Sequence, residues 1–90
     1  MDLGNNKSAI VMGATSGIGY EVAKVLAQHG WRVAVAGRRE SILAAMTAKT
    51  DGIVAYEVID VTAPHAAESL RRLIDKMGGI SLYFHSSGIG

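Results

Sequence analysis

Ninety residues, 49% hydrophobic and 19% charged, make a packed chain with room for one domain or a piece of one, which excludes a disordered segment and a two-domain arrangement. Nine basic and eight acidic side chains leave a net charge of +1, too little for a phosphate-backbone surface, so no nucleic-acid partner is expected and any anion site must be local. The absence of cysteine excludes a disulfide framework, a thiolate nucleophile and a Cys-ligated metal, and no apolar run reaches the length of a membrane span; a cytoplasmic protein with no membrane partner is expected.

The first apolar run, 9–12, reads as a buried strand and passes directly into Gly13-Ala14-Thr15-Ser16-Gly17-Ile18-Gly19, within which a helix begins. That helix is predicted over about 17–29: Ile18, Val22, Val25 and Leu26 share a face, Ala23 and Ala27 permit close approach to a sheet, and Gly30 is the stop signal. Trp31 is expected to cover the corner before a second strand at 33–36. A second helix, 40–49, offers Ile42, Leu43 and Met46, has the weakest pattern of the three, and ends near Asp51-Gly52. A third strand follows at 53–59. The third helix is predicted to begin near Thr62 and Pro64, where a hydroxyl cap and a ring without an N–H suit an N-terminus, and it presents Leu70, Leu73, Ile74 and Met77 before Gly78-Gly79. A fourth strand spans 80–84. The alternation β-α-β-α-β-α-β, without repeat or linker, predicts an α/β fold: a doubly wound parallel sheet with helices on both faces.

Leu82, Tyr83 and Phe84 suit the interior of a parallel sheet, yet only His85-Ser86-Ser87-Gly88-Ile89-Gly90 follows. An apolar edge would stand open. The expectation is a chain truncated after the fourth strand, which associates or dissolves poorly when made alone.

The glycine-rich turn carries the chemistry. Between a buried strand and a helix N-terminus, free N–H groups and the helix dipole attract phosphate. Gly13 permits the tight turn, Gly17 leaves room for a pyrophosphate, Gly19 lets the helix pack close to the strand, and Thr15 and Ser16 offer hydroxyl donors. Gly13, Thr15, Ser16, Gly17, Ile18 and Gly19 thus form the predicted cofactor cradle. No Lys-Ser or Lys-Thr follows the last glycine, which excludes a triphosphate loop and points to a dinucleotide.

The Gly-x-x-x-Gly-x-Gly spacing resembles the short-chain dehydrogenase/reductase family, and three further segments agree with it. Gly37-Arg38-Arg39 follows the second strand, Asp60-Val61 closes the third, and Ser86-Ser87-Gly88 closes the fourth, where the family usually has Asn-Ala-Gly. The resemblance covers all 90 residues. It implies a Rossmann-like sheet of strand order 3-2-1-4, with residues 1–90 forming the N-terminal part of a single NAD(P)-binding domain. Met12 and Ser86 depart from the family's usual threonine and asparagine, side chains that brace neighbouring strand ends, so the brace here is absent or rebuilt.

An acidic residue at the end of the second strand would bind the ribose hydroxyls of NAD, but this chain has Gly37 followed by two arginines. That favours NADP over NAD, with Arg38 first and Arg39 second as partners of the 2′-phosphate. By resemblance, Asp60 accepts from the adenine amino group and Val61 flanks the ring; a cap for the following helix is the other role open to Asp60. Ser87 and Gly88 are expected beside the cofactor's ribose, where the strand order reverses.

The family's catalytic Tyr-x-x-x-Lys is matched by Tyr20-Glu21-Val22-Ala23-Lys24, but on the helix that faces phosphate, so the match is a decoy and no catalytic residue is assigned. His29, His65 and His85 lack metal spacing and read as element ends. The resemblance implies a complete enzyme, usually a homo-oligomer, that passes hydride between nicotinamide and a carbonyl or alcohol substrate, with its catalytic pair beyond Gly90. The alternative is a non-catalytic dinucleotide-binding sensor or regulatory module.

Overall fold

Runs such as 9–12 and 33–36, apolar at every position, suit strands covered on both faces. A computed structural model describes residues 7–86 and places them so. The elements are β1 (Ser8–Met12), α1 (Gly17–Gln28), β2 (Arg32–Gly37), α2 (Glu40–Lys49), β3 (Ile53–Val58), α3 (Ala66–Lys76) and β4 (Leu82–His85). All strand pairs are parallel and the order is β3-β2-β1-β4, the half-Rossmann arrangement expected.

Alternate strand residues face opposite sides, and the parallel register turns that alternation into two apolar layers. Val11, Val33 and Val35 pack against Ala23 of α1 and Leu43 and Met46 of α2. On the other face Ile10, Met12, Ala34 and Ala36 pack against Leu73 of α3 and Met77 at its C-cap. Trp31 is half-buried against the first layer, at the corner between α1 and β2. At the amino edge of the sheet, Arg32 Nη1 donates to Ser8 Oγ (3.1 Å) and to the Met77 carbonyl (3.2 Å), pinning β1, β2 and the end of α3 together. Ser8 is only 1% exposed, so its hydroxyl needs that partner.

Four expectations are corrected. On α1, Ile18 and Val25 are 68% and 49% exposed, and the sheet-facing stripe runs through Gly19 and Ala23, flanked by half-buried Val22 and Leu26. The turn brings α1 so near β1 that only small residues fit between them. The third helix starts at Ala66 with His65 at its N-cap position and no side-chain cap, because the Thr62 hydroxyl is used on Asp60 instead. Asp60 accordingly caps a turn and not a helix: its Oδ1 accepts from Thr62 N–H at 2.9 Å, and its backbone carbonyl accepts from Ala63 N–H at 2.9 Å. The third and fourth strands are displaced by a residue or two. β3 ends at Val58, although Ile59 N–H still bonds Gly37 O at 2.8 Å, and β4 starts at Leu82 and includes His85.

Along β4, Leu82 and Tyr83 are exposed and Phe84 is half-buried against the α1–α2 layer. Among the described strands only β1 pairs with it.

Candidate functional site

β1 lies between β2 and β4, so the connections leave it in opposite directions and a crevice opens at the carboxyl ends of the strands. A cavity of about 340 Å³ occupies that place, lined by Gly13, Thr15, Gly37, Arg38, Asp60 and Ser86 among others.

The turn at its base is tightly determined. The amides of Gly13 and Ala14 both donate to Ala36 O, at 2.9 and 3.1 Å, which ties the turn to β2. Gly13 has φ +78°, and a β-carbon there would run into the Ser86 carbonyl. A β-carbon on Gly19 would lie 2.5 Å from Gly13 O and 3.0 Å from Ala14 Cα. Gly17 is different: a β-carbon on it would meet nothing of the protein within 4 Å, and its φ is not positive.

Ser16 is the N-cap of α1. Its Oγ donates to Gly13 O (2.9 Å) and accepts from Gly19 N–H (3.1 Å), while Tyr20 N–H bonds Ser16 O (3.0 Å). The hydroxyl is thus turned onto the turn itself. An α-helix leaves its first N–H groups without internal acceptors. With Gly19 capped, the amides of Gly17 and Ile18 remain, and neither finds an acceptor among the described residues. The Ile18 side chain is exposed, so it is the Ile18 backbone amide that belongs to the turn.

On the far wall, Asp60 Oδ1 accepts from Thr62 N–H (2.9 Å) and Thr62 Oγ1 (2.6 Å). These bonds hold the carboxyl below the usual aspartate range, with a smaller contribution from the positive charge of Arg38. The other oxygen, Oδ2, has no partner among the described residues. Arg38 and Val61 line the cavity with Asp60. Arg39 does not; it occupies the N-cap position of α2. Thr15 Oγ1 makes no hydrogen bond among the described residues, and the Thr15 methyl stands 3.4 Å from where a β-carbon on Gly37 would be. Ser87 and Gly88 lie outside the described residues.

The sequence reading names two residues without their partners: Thr62 as a helix cap and Ser86 as a departure from a bracing asparagine. Thr62 holds Asp60 through an i, i+2 pattern that an Asp-x-Thr spacing does signal. Ser86 Oγ lies 2.9 Å from Ser16 Oγ, so a brace from this position does exist, and its partner, 70 residues away in sequence, carries no local signal.

Tyr20 and Lys24 form no acid/base pair. Lys24 Nζ pairs with Glu21 Oε2 at 3.0 Å and sits over the Tyr20 ring, 4.7 Å from its centroid. Glu21, by hydrogen bond and charge, raises the Lys24 pKa. His29 is the C-cap of α1, His65 precedes α3 and His85 ends β4. Among the described residues no cluster of three or more His, Asp or Glu is placed to hold a metal, and no helix is long and apolar enough to cross a membrane.

The family model described as short chain dehydrogenase matches residues 7–90. An uncharacterized oxidoreductase of Staphylococcus saprophyticus is 34% identical over 93% of this chain and 38% of its own length. A 3-oxoacyl-acyl-carrier-protein reductase of Chlamydia muridarum is 30% identical over 93% of this chain and 36% of its own. Among solved structures, an actinorhodin polyketide ketoreductase variant with NADPH superposes with a TM-score of 0.81 at 30% identity, over 93% of this chain and 34% of that one. The acetoin dehydrogenase of Salmonella typhimurium gives 0.79 at 30% identity, over 91% and 36%. The chain spans little more than a third of the length of these relatives.

Proposed function

The chain belongs to the short-chain dehydrogenase family, and we propose that it forms the NADP-binding portion of an oxidoreductase that moves hydride between nicotinamide and a carbonyl or alcohol substrate. The observation that carries the reading is Gly17. Neither φ nor any protein neighbour demands glycine there, and beside it stand the two unclaimed amides of Gly17 and Ile18 at a helix N-terminus. Glycine's missing side chain leaves space for a pyrophosphate to reach those donors, and the helix dipole favours its charge.

The remaining wall fits the adenosine half. Arg38 offers a guanidinium to a 2′-phosphate, where an acidic residue would repel it. Asp60, with Oδ1 committed to Thr62, retains Oδ2 as an acceptor for the adenine amino group, and Val61 supplies an apolar flank. When bound, the cofactor supplies the hydride chemistry; these residues bind and orient it. Arg39 is a secondary electrostatic contributor from the start of α2, and Ser87 and Gly88 are proposed to border the ribose.

Titration of the intact protein with NADPH and NADH, followed by nicotinamide fluorescence, tests the proposal. A charge-assisted contact to the 2′-phosphate predicts tighter binding of NADPH by about ten- to a hundredfold. Equal affinities defeat the NADP assignment, and failure to bind either defeats the dinucleotide assignment.

A further inference from the structure

We infer that Ser86 is a positioning residue: by donating its hydroxyl to Ser16 Oγ across the β1–β4 crevice, it fixes the glycine turn in the form that presents the Gly17 and Ile18 amides.

The direction of the Ser16–Ser86 bond follows from the proton inventory. Ser16 Oγ has three polar neighbours: Gly13 O at 2.9 Å, Gly19 N at 3.1 Å and Ser86 Oγ at 2.9 Å. A serine hydroxyl has one proton to donate and two lone pairs. The Gly19 amide can only donate, and the Gly13 carbonyl can only accept. Were the Ser16 proton turned toward Ser86, two lone pairs would face each other between Ser16 Oγ and Gly13 O. Ser16 therefore donates to Gly13 O, and Ser86 donates to Ser16. Every site on the Ser16 hydroxyl is then filled.

Two consequences follow. Ser16 has no proton left for a phosphate, so its part is to shape the turn; the hydroxyl still available on the turn is that of Thr15. Ser86 in turn holds Ser16 from the far side of the crevice, reinforced by the Ser86 N–H bond to Met12 O at 2.9 Å. Removing the Ser86 hydroxyl frees Ser16 to rotate, which loosens both the Gly13 carbonyl and the cap on Gly19. The geometry of the turn stands independently of the cofactor, but its consequence for ligand binding rests on the dinucleotide reading above.

The test compares Ser86→Ala, Ser86→Asn, Ser16→Ala and the Ser16→Ala/Ser86→Ala double variant of the intact protein, with NADPH and 2′-AMP as ligands and amide exchange of Gly19 as a ligand-free readout. Ser86→Ala is expected to weaken NADPH about three- to tenfold, the worth of one ordinary hydrogen bond, and to leave 2′-AMP, which lacks the pyrophosphate, within about twofold. Ser86→Asn, whose amide keeps a donor, is expected to restore NADPH binding. In the Ser16→Ala background the loss of Ser86 should add nothing. Equal losses for both ligands, additive single effects, or no recovery in Ser86→Asn overturn the inference. If the parent binds no dinucleotide, the cofactor reading fails by itself and Gly19 exchange decides: faster exchange in Ser86→Ala sustains the clasp, and an unchanged rate overturns it.

Discussion

Gly17→Ala separates what the fold needs from what the ligand needs. Gly17 is the first residue of α1, its φ is not positive, and a β-carbon there touches nothing within 4 Å. Alanine at such a position restricts the unfolded chain and suits a helix, so stability should rise by about 0.4–1 kcal/mol. The same methyl projects into the space proposed for the pyrophosphate and should weaken NADPH at least about tenfold, or about 1.4 kcal/mol. Gly19→Ala is the control with the opposite signature. Its β-carbon would lie 2.5 Å from Gly13 O, against backbone that cannot yield, so the fold should lose about 1–3 kcal/mol or more. Urea unfolding without ligand and fluorescence titration with NADPH measure the two quantities separately. A Gly17→Ala protein that binds NADPH as tightly as the parent would refute the reasoning. So would one that is destabilised without ligand, because the space above Gly17 would then belong to the fold.

Three further perturbations address other parts of the molecule. Arg38→Ala should remove about ten- to a hundredfold of NADPH affinity and leave NADH nearly unchanged; an undiminished NADPH preference in parallel titrations would reassign the 2′-phosphate site. Arg32→Ala takes a donor from buried Ser8 and from the Met77 carbonyl at the opposite edge of the sheet, so urea unfolding should show a loss of about 1–3 kcal/mol while NADPH affinity stays within about twofold. The hydrogen bonds from Thr62 hold the Asp60 pKa below the usual aspartate range, so they stabilise the folded state above that range and are lost as pH falls through the lowered folded value. The stability difference between the parent and Asp60→Asn should therefore be present near neutral pH and disappear in acid, as followed by unfolding across a pH series.

The architecture was legible because the apolar runs and helical stretches alternate without interruption, and the tight turn from Gly13 to Gly19 because its glycines stand between a strand and a helix. The misplacements share one cause, which is that local pattern does not record distance to a neighbour. Ile18 and Val25 have the spacing of a buried stripe, but the turn pulls α1 against β1, so the true stripe consists of Gly19 and Ala23, residues too small to register as a hydrophobic signal. Thr62 has the chemistry of a helix cap, but Asp60 lies two residues away and claims its hydroxyl, which delays α3 to Ala66. Leu82 and Tyr83 have the composition of an interior strand, yet burial depends on what pairs with β4, and among the described strands only β1 does.

Ser86 shows where sequence reading stops and register takes over. The β1–β4 ladder pairs Met12 with His85, so the next residues, Gly13 and Ser86, arrive side by side at the carboxyl edge. The bond from Ser86 to Ser16 exists because of that ladder, and so does the demand that residue 13 be glycine, since a β-carbon there would strike the Ser86 carbonyl. A slip of one residue in β4 would turn its apolar side chains to the wrong face and carry Ser86 away from the turn in the same movement. The pairing that half-buries Phe84 thus also aligns the groups that shape the glycine turn, and a perturbation of β4 packing should reach the turn proposed for the pyrophosphate.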